Sequence, residues 1–440
     1  MSNLNNDSIH TGIYVNKYIL MHKNDVVGIA SSENNSFDIL IPEKMPFKLR
    51  DNNLSYTRFY EWMFQRANNL QRTYMNKVYI ARKIGRDLDS IIKDSCLMSI
   101  TDKFWINRSD INTTWDKLQE RRDNNITIAE VALTGNLDKL NFKEAAEGTL
   151  SLFATKGYFP KAILSNCMLK QGGMSKSEWI ASLLGNALGI PVQKAEMENP
   201  SMGGYRNNEG YLITHIPNEF IEAADDTRIK IELFTSENIS LCHAADLFFD
   251  NIWNSSVSNG FHHLCFYERL PTEGLKRDYE KICILNWLLG NQDMHTENYG
   301  LLYDNNTFKI INVSPSYDHN SSTYNAMPSD LDVPIIIKKS IHHHSDIVDK
   351  IESGHVNKIL DTLKGWLSDN QKQGVQAAAY FLVCYFKDHN FDISSIKAME
   401  NPYIDKEHLV NWQESYSRWE KDNQDLLNKV MSNYNQTFQY

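Results

Sequence analysis

The chain has 440 residues, of which 42% are hydrophobic and 23% charged, the balance of a globular protein rather than a disordered or fibrous one. A formal net charge of −10 excludes the broad basic face of a general nucleic-acid binder, so no direct nucleic-acid binding is expected. The six cysteines, at positions 96, 167, 242, 265, 283 and 384, contain no CxxC pair or zinc spacing and read as reduced, mostly buried thiols.

At roughly 100 to 200 residues per domain the length predicts two to four folding units. The opening MSNLNNDSIHTG has neither the basic nor the apolar region of a signal peptide, and a cytoplasmic protein is expected. Residues 12–48 carry β-branched and aromatic runs, GIYVNKYILMH and DVVGIA, and predict a strand-rich start. From about 57 to 95 the period becomes helical, in TRFYEWMFQRA and VYIARKIGRDLDSIIKDS. Residues 107–125, with NRSD and RRDNN, read as loop.

A second unit begins near 145. TLSLFATKGYFPKAILSNCMLKQGG predicts short strands, MSKSEWIASLLGNALGIP a helix stopped by Gly189 and Pro191, and YLITHIP at 211–217 another buried strand. Beyond about 225 helical patterns dominate, including VQAAAYFLVCYF at 375–386, about half the length that crosses a bilayer, and HLVNWQESYSRWEKDNQDLLNKVM. They are interrupted by GNQDMHTENYG at 290–300 and a hairpin, YGLLY–DNNT–FKIINV. Strands first and helices later predict an α+β protein with two unequal lobes.

The interruption carries the candidate chemistry. Asp293 and Asn298 lie five apart, and the hairpin returns SPSYD, ending in Asp318, toward them. Phosphoryl transfer from ATP needs a carboxylate to orient the acceptor and hard oxygen ligands for Mg2+, which takes few protein groups. Asp293 fits the first role, and Asn298 and Asp318 the second. The competing reading makes them ordinary turn residues. His295 reads as an orienting partner in the loop, and the triplet His342, His343 and His344 as a solvated segment rather than a metal site. Lys170, ending a strand, and Glu178, in the following helix, match a lysine that holds phosphates and its carboxylate partner. Against this, Ser175 and Glu178 also spell a capping box. The loop ATKGYFPKA, 154–162, has one glycine, Gly157, where phosphate loops carry several; Lys156 and Lys161 within it offer charge to the phosphates, against the commoner reading as surface lysines.

The stretch ILNWLLGNQDMHTENYGLLYDNNTFKIINVSPSYDH, 284–319, resembles the N-x-D-x-H-x-x-N loop, hairpin and P-x-x-D element of the HipA-like serine/threonine kinases. GYFPKAI, MLKQGG with SEWIASLLGNALGI, and FTSENIS are similar to further family segments, and YILMHKNDVVG, EWMFQRA and MSITDKFWI resemble the leader region of clostridial-type members. The resemblance implies a bilobal protein-kinase-like fold, with a leader domain over 1–144, a small strand-rich lobe over 145–224 and a larger helical lobe over 225–440. It implies ATP and Mg2+ as cofactors, Asp293 as the catalytic carboxylate, Asn298 and Asp318 as metal ligands, and Lys170 on the phosphates. It further implies adenine contacts along the strand carrying Thr214 and Ile216, and self-silencing by phosphorylation of Thr155 or Ser151. The expected partner is a protein substrate, with no membrane. Toxin members of the family work beside a small DNA-binding antitoxin, which nothing in this chain resembles. Two departures stand out: Met294 where the family often has Arg, and Asn320 where glycine is frequent. A phosphotransferase for a lipid or small molecule, and a nucleotide-binding pseudokinase scaffold, are the alternatives.

Overall fold

The computed structural model describes residues 17–50, 54–67, 74–108, 110–111, 113–120, 126–137, 160–164, 167–198, 227–247, 259–291, 293–322, 344–363 and 365–387. Within them lie three antiparallel sheets among helices, a mixed α/β architecture.

The strand-rich start forms as expected. β1 (Lys17–His22), β2 (Asp25–Ser31), β3 (Ser36–Ile39) and β4 (Phe104–Asn107) make one sheet in the order β3-β2-β1-β4. One face of this sheet packs on α1 (Tyr56–Ala67), α2 (Met75–Arg82) and α3 (Leu88–Ser95) around Leu20, Val27, Phe59, Tyr79 and Ile92. The run VYIARKIGRDLDSIIKDS is two helices rather than one. Lys83 turns left-handed to end α2, and Asp87 caps α3 by accepting from Ser90 N at 2.9 Å. The segment expected to be loop holds α4 (Trp115–Glu120), because Trp115 and Leu118, three apart, both bury. α5 (Ile126–Thr134) follows.

The second sheet, β5 (Lys161–Ile163), β6 (Cys167–Gln171), β7 (Ala195–Met197) and β8 (Arg228–Glu232), is ordered β5-β6-β8-β7. α6 (Lys176–Leu188) lies between β6 and β7 and ends at Gly189, as read. β8 lies past residue 224, where helices were expected. Its RIKIE alternates buried Ile229 and Ile231 with exposed residues, a period of two that the helical patterns downstream obscured. β9 (Ile239–His243) is a second such strand. With the expected hairpin, β10 (Gly300–Asp304) and β11 (Ile310–Val313), it forms the sheet β11-β10-β9, preceded in the chain by α7 (Asn259–Arg269) and α8 (Glu273–Leu289). α9 (Ser345–Glu352), α10 (His355–Thr362) and α11 (Asp369–Lys387) complete the helical core, in which Leu285, Leu289, Leu360 and Leu382 are buried. No helix among the described residues is long and apolar enough to cross a membrane. Cys96, Cys167, Cys242, Cys265 and Cys283 are buried.

The amino-terminal sheet is stitched to the rest. Leu241 N donates to Thr101 O at 2.6 Å, Thr235 Oγ1 to Ile100 O at 2.6 Å, and Lys23 pairs with Glu237 at 3.0 Å. Ala162 and Leu169, from β5 and β6, share the apolar core of that first unit.

β9 and β10 approach so closely at Gly300 that a Cβ there would stand 2.1 Å from the Cys242 carbonyl oxygen, a backbone atom that cannot swing aside. Gly300→Ala therefore forces the two strands apart, and a loss of about 1–3 kcal/mol of stability is expected by analogy with overpacked cores. Denaturant titration checks it; an unchanged midpoint would show that the sheet yields.

Candidate active site

α8 begins at Thr272, whose Oγ1 accepts from Leu275 N at 3.3 Å, and ends at Gly290 in the left-handed conformation (φ +56°), which glycine adopts without strain. The chain then turns into the 291–298 loop. Asn298 closes it, its backbone N–H donating to His295 O at 2.8 Å and its Nδ2 to Asp293 O at 2.6 Å. With that amide nitrogen committed, the Asn298 carboxamide oxygen is the atom left to meet a cation. His295 Nδ1 accepts from Glu297 N at 3.2 Å, and Nε2 stands 3.6 Å from Asp293 Oδ1, just beyond hydrogen-bond reach. Both side chains are nearly half exposed, so the Asp293 carboxylate is accessible.

The loop is held from beneath by His263 on α7. Its Nε2 donates to Met294 O at 2.8 Å, and its Nδ1 accepts from the Tyr279 hydroxyl. Met294, which replaces the family's frequent Arg, is buried in the helical core.

The β10–β11 hairpin carries the chain back to Asp318, which sits at φ +60°, a left-handed conformation that costs a non-glycine residue about 1 kcal/mol or more. Two contacts hold it there. Lys170 Nζ donates to Asp318 Oδ1 at 2.7 Å, and Asn320 Nδ2 donates to the same oxygen at 2.7 Å, giving the second departure from the family pattern a defined job. The ammonium also donates to Glu178 Oε1, and His319 Nδ1 meets Glu178 Oε2 at 3.1 Å. Lys170 thus bridges two carboxylates, one on α6 and one on the returning loop.

The capping box is not formed. Ser175 Oγ donates to Gly172 O at 2.7 Å and to Thr227 O at 3.1 Å, and makes no cap bond to α6. A cap is worth about 1 kcal/mol, whereas an unpaired buried ammonium costs several. Glu178 therefore turns inward to Lys170.

Burial opposes charge on all three groups, and their mutual attraction overrides it. The two carboxylates push the Lys170 ammonium above its ordinary value. Lys170, with help from Lys161, holds the Asp318 carboxyl well below the carboxylate range, and Lys170 and His319 lower that of Glu178. Glu178 is closed off, whereas Asp318 leaves 24% of its side chain open toward a cavity of about 370 Å³.

That cavity gathers Lys161, Lys170, Asp293, His295, Asn298 and Asp318 on its walls. Thr155, Lys156, Gly157, Ser151, Thr214 and Ile216 lie outside the described residues. Phe234, two residues past β8, also lines the cavity, beside Gln193, Met168 and, from β9, Leu241 and His243. Tyr317 also lines it, its hydroxyl donating to Glu297 O at 2.9 Å and meeting His243 Nδ1 at 3.0 Å. The opposite wall belongs to the amino-terminal unit: Trp62 and Arg66 from α1, and Ser99, Thr101 and Asp102 from the segment before β4. Arg66 is anchored there by Asp102 at 2.6 and 2.7 Å. No local pattern announces this wall, which is built by long-range contact.

His344 departs from the solvated reading of the histidine triplet. It is 1% exposed, and its Nε2 lies 2.9 Å from Glu280 Oε2, a buried carboxylate that needs a partner. His342 and His343 lie outside the described residues.

The donor set fits a magnesium nucleotide. Asp318 and Asn298 present hard oxygens, and Mg2+ characteristically takes one or two protein groups together with phosphate oxygens and water. No cluster of three or more His, Cys, Asp or Glu side chains that could cage a metal occurs among the described residues, and this mode of binding requires none.

Acid should loosen this region. Burial pushes the His263 imidazole down to about 3 and that of His22 down to about 4. Against an unfolded value of about 6.5, the unfolded chain takes up these protons first. The stabilisation is therefore complete above that value and lost as the pH falls toward 4 and then 3, by about 2 kcal/mol for each group at pH 5. Thermal melts from pH 7.5 to 5 should show a falling Tm; a flat profile would contradict it.

Two solved structures give shape comparisons. A Helicobacter pylori proinflammatory kinase, CtkA, is 16% identical, with 50% of this chain and 89% of that chain covered and a TM-score of 0.33. A chain of the Shewanella oneidensis MR-1 toxin–antitoxin complex of HipA, HipB and operator DNA is 10% identical, with 87% and 100% covered and a TM-score of 0.49. No curated protein matches significantly. Residues 132–371, more than half of the chain and the span that delivers Lys170, Glu178, Asp293, Asn298 and Asp318, match the HipA-like C-terminal domain, and the protein belongs to that family.

Proposed function

We propose that the protein is an ATP- and Mg2+-dependent serine/threonine protein kinase of the HipA-like type, with a small lobe around β5–β8 and a larger helical lobe beyond it. The observation that carries this reading is Lys170, buried and charged, donating to Glu178 and Asp318 at a cavity that also holds Asp293 and Asn298. A lysine shared between a helix carboxylate and a loop carboxylate, beside a third acid and an amide, is the equipment of phosphoryl transfer.

Bound Mg·ATP would supply the electrophilic γ-phosphorus and a leaving ADP. Lys170 would hold the phosphates, and the oxygens of Asp318 and Asn298 would hold the cation. Asp293 accepts the proton of the attacking hydroxyl as its oxygen bonds to phosphorus and the bond to ADP breaks, with His295 beside the carboxylate. The amino-terminal wall excludes water from one side of the cavity. Autophosphorylation at Thr155 or Ser151, a cytoplasmic location and a small antitoxin-like partner complete the proposal and rest on family resemblance.

Incubating the protein with γ-labelled ATP, Mg2+ and a fractionated bacterial lysate tests the acceptor class. Label in serine or threonine of protein supports the reading. Label confined to lipid or small-molecule pools replaces it with a small-acceptor phosphotransferase, and binding of ATP with label in no pool replaces it with a pseudokinase.

A further inference from the structure

Glu178 and the Asp293 loop are joined by an unbroken line of buried hydrogen bonds. Asp293 N lies 3.2 Å from Asn291 Oδ1, Asn291 Nδ2 is 2.8 Å from Asn286 Oδ1, and Asn286 Nδ2 is 2.9 Å from Ser316 Oγ. Ser316 Oγ is then 2.8 Å from His319 Nε2, and His319 Nδ1 is 3.1 Å from Glu178 Oε2. Asn291, Asn286, Ser316, His319 and Glu178 are each no more than 2% exposed.

The two ends dictate the direction. A backbone N–H can only donate, and an ionised carboxylate can only accept. Asp293 N–H therefore donates to Asn291, Asn291 to Asn286, Asn286 to Ser316, and His319 Nδ1–H to Glu178, with Ser316 Oγ and His319 Nε2 sharing one proton between them. Every group along the line has its neighbour as partner. Hydrogen bonds aligned head to tail polarise one another, and in a dry interior losing one leaves its neighbours unsatisfied.

We propose that this line is a mechanical coupling, with Asn291, Asn286, Ser316 and His319 as positioning residues that make the placement of Asp293 depend on Glu178 holding Lys170. The inference rests on the kinase reading. None of the four need touch substrate. Ser316 is well placed as the midpoint, because its backbone is independently pinned by Pro191 O at 3.0 Å and by Gln193 N at 2.9 Å, so removing its hydroxyl cuts the line without freeing the strand.

The test compares the full-length parent with Ser316→Ala, Asn291→Ala and the double variant, by steady-state kinetics and by amide exchange of peptides covering 174–182 and 288–300. Ser316→Ala should lower kcat by about tenfold with KM for ATP nearly unchanged, since a displaced catalytic group costs turnover rather than binding. The double variant should lose no more than the worse single one. Exchange should quicken in both peptides when either residue is changed, the distant one included, as reciprocal coupling requires. His319→Gln, which keeps a donor and an acceptor at similar reach, should retain more turnover than His319→Leu. Losses that multiply in the double variant, or faster exchange only beside the altered residue, overturn the coupling. A parent that transfers no phosphate defeats the kinase reading alone, and the exchange data then decide the coupling by themselves.

Discussion

Asp318→Asn should abolish measurable phosphoryl transfer, with a fall of at least about 10³-fold in kcat, while leaving the protein folded. The side chain keeps its shape and one oxygen able to accept from Lys170 and Asn320, so the φ +60° turn retains its contacts. What disappears is the negative charge that would hold the cation over the developing charge of the transferred group, and such electrostatic terms are commonly the largest in a site of this kind. Glu178 remains to neutralise Lys170, so the buried ammonium is not orphaned. Kinetics over a Mg2+ titration check this. A rate within about tenfold of the parent's, at any Mg2+ concentration, would remove Asp318 from the metal site.

Glu178→Ala should be worse for the fold than for any single chemical step. Its carboxylate is 2% exposed and meets both Lys170 and His319, so truncation leaves a buried cation half-neutralised and a buried imidazole without its acceptor. Breaking a buried ion pair from one side costs about 3–5 kcal/mol. The same change releases Lys170 toward Asp318 alone, and activity should fall by about 10²-fold or more through misplacement of the phosphate-binding group. Chemical denaturation and kinetics on the same preparation check both. A variant as stable as the parent would show that solvent reaches Lys170 and that the Lys170–Glu178 pair is not the core of the site.

The unequal legibility of the site has physical causes. Asp293, Asn298 and Asp318 could be read because the loop and hairpin that assemble them are local, with the five-residue spacing and the DNNT turn visible in the sequence. Lys170 could be read from its place at the end of an apolar strand. Glu178 carried two local meanings, and only the buried charge of Lys170, reached across the fold, decided between them. Asn286, in the apolar carboxyl-terminal half of α8, passed unnoticed, and Asn291, although the first residue of the N-x-D motif, was given no role, even though a buried polar residue signals a required partner.

The fold shows the same division. β1, β2, α6 and the β10–β11 hairpin follow their local patterns. β8 was masked by charged residues that a half-exposed strand tolerates, and β9 by the polar Ser240 and His243 in a short, largely buried strand. His344 was misread because its environment is made by Glu280, 64 residues away. The wall of Trp62, Arg66 and Asp102 illustrates the limit most plainly, since it arises from the seating of one unit on another.

The most direct test of the central claim is transfer of label from γ-labelled ATP with Mg2+, measured for the parent beside Asp293→Asn, with the modified residues located by mass spectrometry. Asp293 touches the rest of the site through its backbone N–H to Asn291, its backbone carbonyl and the neighbouring His295, so the isosteric change leaves the loop's closure by Asn298 in place. Label on serine or threonine with the parent and none with Asp293→Asn is the predicted result. Equal labelling by both proteins would contradict the assignment of Asp293 as the group that takes the acceptor's proton, and with it the phosphotransferase account of this cavity.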